Sequence, residues 1–183
     1  MITTISIPKN IAGKLRRHLF KSELEQGAFL FARVTKDAGK LDVIAEQVYL
    51  IPPEGWQVQL DVYLEMKDTE RSKIMKMARD RDLAVVDCHS HPGSGDDVSF
   101  SPSDKAGITD FAEYTKWKLG GKPYVAMVWA ESSLDAVIWD GDFTKAGRVD
   151  KVNITGNPNR SLVPNGSWFR KPRPYWQRST NGH

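Results

Sequence analysis

The chain is poor in the residues that build extracellular scaffolds and membrane spans. Cysteine occurs once, as Cys88, which excludes an intrachain disulfide or a cysteine-rich zinc finger and suits a reducing compartment. The most apolar stretches, GAFLFA at 27–32 and YVAMVWA at 124–130, fall well short of the roughly 20 residues a spanning helix needs. The opening MITTISIPKN has no apolar signal core, so export is not indicated and the cytoplasm is the expected location. Histidine is scarce, with four copies at 18, 89, 91 and 183. Acid is missing from residues 151–183, which hold Lys151, Arg160, Arg170, Lys171, Arg173 and Arg178. The first 150 residues therefore carry 20 lysines and arginines against 23 acids, −3 beside the tail's +6.

What remains is an ordinary water-soluble composition. With 183 residues, 40% hydrophobic and 27% charged, the chain is long enough to bury roughly 70% of its unfolded surface in one core. Residues 3–7 read as a short strand. Asn10–Ser22 reads as a helix, with Ile11, Leu15, His18 and Leu19 recurring at three- and four-residue steps. The runs 27–34 and 41–50 flank the turn segment TKDAGK and predict a hairpin whose first strand lacks polar alternation and is buried on both faces. A strand at 57–65 and a helix over Asp68–Asp82, with Ile74, Met77 and Ala78 on one face, follow. A buried strand, Leu83–Cys88, leads into HSHPGSGDDVSFSPSD; a helix over 102–118 with Ile108, Phe111, Ala112 and Thr115 on one side comes next, then strands at 123–130 and 134–139. The pattern is α/β: a mixed sheet flanked by helices. One domain is expected over residues 1–150. Residues 151–183, rich in Pro, Gly, Asn and Arg, are expected to be an extended basic arm whose Trp168, Phe169 and Trp176 dock on the domain or on a partner.

The chemistry concentrates at the end of the strand before the Gly-rich loop. His89 and His91 are two residues apart, so on a strand they share a face at about 6.5–7 Å of chain and their imidazoles can converge on one ion. The loop 92–100 then delivers Ser101 and Asp104, and two imidazoles with one carboxylate form a zinc set that keeps a fourth position for water. The bland readings are a pair of surface histidines at a strand end and a plain helix start, with Ser101 as N-cap, Pro102 at the first helical position and an acid in the first turn. Asp96 and Asp97 are rival ligands. Hydrolysis at such an ion needs a base off the metal, and spacing alone does not choose it.

HSHP followed by Ser101-x-x-Asp104, with Glu25-Gln26-Gly27-Ala28-Phe29-Leu30 opening the first long strand, resembles the JAMM motif of the JAB/MPN metalloprotease family. The order of elements is similar over roughly residues 3–140. The resemblance implies an MPN/JAB-like fold, of the cytidine-deaminase-like kind, and one zinc ion per chain held by His89, His91 and Asp104. It also implies Glu25 as the group that takes a proton from the water and Ser101 as hydrogen-bond donor to the oxyanion. Glu23 is the competitor for Glu25. Family members usually have seven residues between the second histidine and the serine, against nine here. Asp87 and Cys88 also stand where relatives often carry apolar or aromatic residues.

The activity so implied is hydrolysis of the bond after the C-terminal glycine of a ubiquitin-like protein, as isopeptidase or precursor peptidase. That protein or its conjugates would be the partner, E1- and E2-like enzymes companions, and a homodimer compatible. Two weaker readings stand beside it. One is a DNA-repair-associated nucleic-acid binder, from the arginines interleaved with Trp and Tyr in the arm; the other is a metal-free MPN scaffold.

Overall fold

The computed structural model describes residues 1–61, 63–141 and 143–170. Lys171, Arg173, Trp176, Arg178 and His183 of the expected arm lie outside the described residues.

Most of the expected elements form with small shifts in their ends; the exceptions are the segment 57–65 and residues 151–162. In chain order they are β1 (Ile2–Pro8), α1 (Lys9–Leu19), β2 (Gly27–Asp37), β3 (Lys40–Leu50), β4 (Trp56–Gln59) and β5 (Leu64–Met66). After these come α2 (Asp68–Asp80), β6 (Ala84–Ser90), α3 (Pro102–Lys118), β7 (Tyr124–Trp129) and β8 (Leu134–Trp139). The last strands are β9 (Gly147–Arg148), β10 (Lys151–Thr155) and β11 (Arg160–Leu162). The fold is mixed α/β. Nine strands make one sheet in the order β11-β10-β1-β3-β2-β6-β7-β8-β9, with parallel pairs β1–β10, β1–β3 and β6–β7 and the rest antiparallel.

Each face of the sheet has its own core. Strand side chains alternate between faces, so Val86 and Cys88 pack on the face covered by α1, whose Ile11, Leu15 and Leu19 recur every four residues. Val85 packs on the other face, beneath α2 and α3, with Phe29, Phe31, Ile74 and Phe111. Six consecutive buried residues at the start of β2, Gly27–Ala32, reflect cover on both sides. On α2 the buried apolar set is Ile74, Met75 and Ala78, with Glu70 also buried; Met77 packs at the edge. The strand expected at 57–65 is instead the separate β4–β5 hairpin.

Residues 151–162 correct the expectation of an arm. β10 lies parallel to β1 from Thr4↔Lys151 to Pro8↔Thr155, and β11 pairs back onto it. Lys151-Val152-Asn153-Ile154-Thr155 alternates polar and β-branched residues, a two-residue period that suits a half-covered strand. Its polar, basic composition masked the strand, and Val152 is fully buried against the α1 face.

Among the described residues no helix is long and apolar enough to cross a membrane.

Candidate metal centre

Strand register brings the site together. In the β2–β6 pair Gly27 stands opposite His89, so Glu25, just before β2, comes beside His91, just after β6. The Glu25 peptide is held on both sides by the β4–β5 hairpin. Its N–H donates to Leu60 O at 3.2 Å and its carbonyl accepts from Gln59 Nε2 at 2.9 Å. Ser90, between the histidines, points to the opposite face and is fully buried. Its Oγ accepts from Gln26 N and its N–H donates to Gln26 O, both at 3.0 Å. Sequence reasoning passed over this clamp. A buried polar residue between two candidate ligands was its signal, since such a group needs partners.

The third group arrives on α3. Ser101 Oγ accepts from Asp104 N at 3.1 Å and Asp104 Oδ2 accepts from Ser101 N at 2.7 Å, a reciprocal capping box followed by Pro102 in the first turn. The cap therefore exists, and it fixes the carboxylate that faces the histidines.

The ligand atoms of His89, His91 and Asp104 all lie within 4.8 Å of one another. Asp104 Oδ2 is 3.3 Å from His91 Nε2 and 3.6 Å from His89 Nε2. Zinc bonds of 2.0–2.1 Å in a tetrahedron require ligand separations of about 3.4 Å, so the spacing matches a shared ion. It is long for hydrogen bonds, and His89 Nε2 is buried without a hydrogen-bond partner among the described residues. An orphaned ring nitrogen facing a carboxylate and a second imidazole is what a cation would satisfy. Side-chain exposures of 11, 15 and 17% for His89, His91 and Asp104 leave the cluster reachable by solvent.

Glu25 lies outside that three-residue group, with Oε1 3.3 Å from His91 Nε2. Burial pushes its carboxyl up, against the downward pull of His91 and His89. Burial also works to raise Asp104, but the two histidines outweigh it and hold that carboxyl well below the usual range. For His89, burial acts to lower and Asp104 to raise, and the attraction wins. The centre is thus electrostatically prepared for positive charge.

The rival acids point elsewhere. Glu23 is exposed, Asp96 accepts from Ser132 Oγ, and Asp97 pairs with Arg170 at 3.1 Å. The loop turns at Gly93 and Gly95, which have φ of +79° and +61°, a region glycine enters without strain. Ser101 Oγ accepts the cap and lies 2.8 Å from Ser103 Oγ, where either hydroxyl can be the donor; with Ser103 donating, the Ser101 hydrogen is left for one further bond. Cys88 faces the α1 side, and burial keeps its thiol protonated.

Two features were not legible beforehand. A cavity of about 460 Å³ opens from the centre, with Glu25, His89 and Asp104 at one end. Trp56 forms part of its wall; a Cβ on Gly27 would fall 2.6 Å from Trp56 Cη2, so glycine is what lets that ring approach. The second feature is a strap. Asp135, fully buried on β8, accepts from Gly166 N at 2.8 Å, from Ser167 N at 2.7 Å and from Ser167 Oγ. Ser167 Oγ in turn accepts from Phe100 N at 3.2 Å, and the Trp168 ring stands edge-on to Phe100 at 5.3 Å. Residues 165–170 thereby grip the loop that delivers Ser101 and Asp104.

The fold and site define a mixed α/β protein with a His-His-Asp group fit to hold a metal ion. No protein-family model matches the chain, and no curated protein matches it. Among solved structures it is similar to the solution structure of protein DSY2949 from Desulfitobacterium hafniense, a structural-genomics target. The identity is 15% and the TM-score 0.49, over 82% of this chain and 94% of that one. A likeness of that degree carries no argument about function.

Proposed function

We propose that the chain is a zinc metallopeptidase of the JAB/MPN type, hydrolysing the bond after the C-terminal glycine of a ubiquitin-like protein. The observation that carries the reading is one partly buried cluster: three ligand atoms within 4.8 Å of one another, with the Glu25 carboxylate beside them but outside the ligand set. The substrate class comes from the resemblance of the motif; the cluster by itself supports a hydrolase.

His89, His91 and Asp104 would hold the ion. Bound there, zinc supplies an electrophile for the scissile carbonyl and makes water acidic enough to be deprotonated near neutral pH. Glu25, off the metal and raised by burial, accepts the proton of the attacking water and passes it to the leaving amine. The Ser101 hydroxyl, oriented by its cap, donates to the developing oxyanion, a role worth roughly 3 kcal/mol. The serine–aspartate box couples the two: a change at Ser101 also loosens Asp104.

The test is zinc content measured beside cleavage of a fusion carrying a glycine-ended ubiquitin-like tail. Glu25→Gln is expected to keep one zinc per chain and lose hydrolysis by about a hundredfold or more, whereas His89→Ala loses both. Full activity in Glu25→Gln, or protein purified without chelator and free of zinc, overturns the reading.

A further inference from the structure

The cavity beside the centre holds a carboxylate that the proposed hydrolysis does not use. Asp87 precedes His89 by two residues on β6, so it shares the face of His89 about 6.6 Å further along the strand. It lines the cavity that opens from the centre. Tyr124 Oη donates to its Oδ2 at 3.1 Å. Among the described residues that is its one hydrogen-bond partner, and no lysine or arginine forms an ion pair with it. His89, on the same face, is its nearest source of positive charge, and a carboxylate inside a protein with one neutral donor and no cation bonded to it is under-served, because a buried anion needs a counter-charge or several donors.

The walls fix what can reach it. Phe29, the cross-strand partner of Asp87, together with Ile51, Trp56, Met66, Ile108 and Phe111, encloses the path from the centre. Aromatic faces and aliphatic groups accept an apolar stem, and aromatic faces also attract cations. The protein's own Arg71 illustrates the second point. Its guanidinium lies 5.6 Å from the centre of the Phe111 ring and 5.8 Å from that of Tyr114, with the exposed Asp68 at 3.7 Å. Arg71 itself lines the cavity, with its Nε buried and unpartnered, but its charge is set against these rings and Asp68 rather than paired with Asp87, which is left to an incoming group. The size, about 460 Å³, lies within the range of side-chain and small-ligand pockets.

We propose that this cavity is a specificity pocket for a basic side chain of the substrate, lysine or arginine, seated with its stem against Phe29, Trp56 and Phe111 and its cationic end on Asp87. The proposal rests on the metallopeptidase reading for the word substrate, but not for the binding chemistry. Asp87 is a binding residue in it, and the neighbouring His89 and Asp104 keep their roles at the metal. A lysine stem is four carbons long and flexible, with a compact ammonium head able to donate to the open oxygen.

The experiment has two arms on zinc-loaded, full-length protein. In the first, glycine-containing peptides carry lysine or its uncharged isostere norleucine at each position flanking the scissile bond, and kcat/KM is measured for each. Wild-type protein is expected to favour lysine by about tenfold or more at one position, with the ratio collapsing toward one in Asp87→Asn while zinc stays at one per chain. Equal or better turnover of norleucine at every position overturns the pocket, as does a lysine preference that survives in Asp87→Asn. In the second arm, n-pentylammonium and 1-pentanol are titrated against the protein by NMR. Selective, Asp87-dependent binding of the ammonium supports the pocket even if no peptide is cleaved, a result that would sink the peptidase reading alone. Loss of zinc from Asp87→Asn with no change in ammonium selectivity would make the residue a support for His89 and overturn the proposal.

Discussion

His18 on α1 is half-buried, and its Nε2 lies 3.0 Å from the carbonyl of Gly27, the residue opposite His89. From the sequence it reads as one more member of the packing stripe; the structure makes it the tie between α1 and the strand that starts after Glu25. Burial, then the nearby Lys21, lower its pKa, and the bond to Gly27 opposes them. The unfolded chain therefore takes up a proton at higher pH than the folded one. Stability falls as pH drops below about 6.5 and stops falling once the folded group has also titrated. Urea midpoints at pH 8 and pH 5 should diverge more for the wild type than for His18→Gln, whose amide can still donate to Gly27 but carries no proton-linked charge. An equal drop in both proteins would remove His18 from the pH response.

At the scale of elements, the strap of residues 165–170 decides how firmly the start of α3 is held. Ser167 is placed to serve three contacts at once: its N–H and hydroxyl donate to Asp135, and its oxygen accepts from Phe100 N. Lys105, in the first turn of α3, donates to the carbonyl of Trp168 at 3.2 Å. Ser167→Ala removes the hydroxyl and leaves a buried carboxylate and the Phe100 amide short of partners, at a cost of about 1–3 kcal/mol. Because Phe100 precedes the capping box, the proposed zinc ion is expected to bind about tenfold more weakly in this variant, as when a ligand's supporting bonds are cut. Competition with a chelator at a temperature where the variant is fully folded separates this from simple destabilisation; unchanged zinc affinity would confine the strap to folding. No spacing rule could have found the strap, since Asp135 and Ser167 meet only once β8 and the chain after β11 are in place.

At the scale of the whole molecule, the sheet runs continuously past residue 150. β10 covers the edge of β1 along Thr4–Pro8, and β11 in turn covers β10. Ending the chain after Asp150 would leave an unpaired β1 edge beside the buried Ile5 and Ile7, a template for association with other chains. That truncation is expected to give aggregated or non-cooperatively unfolding protein, whereas the full chain unfolds in a cooperative transition. Circular dichroism during thermal unfolding, with light scattering, tests both; a soluble, cooperative 1–150 fragment would restore the boundary expected from composition.

The sequence by itself determined the local structure: helices from four-residue apolar steps, buried strands from unbroken apolar runs, and a capping box from Ser101-Pro102-x-Asp104. It also placed His89 and His91 on one face, because the two-residue period of a strand is a property of the chain alone. Tertiary structure decided the rest. Only the pairing of β2 with β6 sets Glu25 beside His91 while Glu23 faces solvent. Only the packing of α2, α3 and the β4–β5 hairpin encloses a cavity around Asp87, and only sheet order turns an apparently loose basic tail into two strands and a strap. The physical reason is the same in each case: periodicity tells which side of an element a residue occupies, whereas the neighbour on that side is chosen by strand order and register, which are properties of the assembled chain.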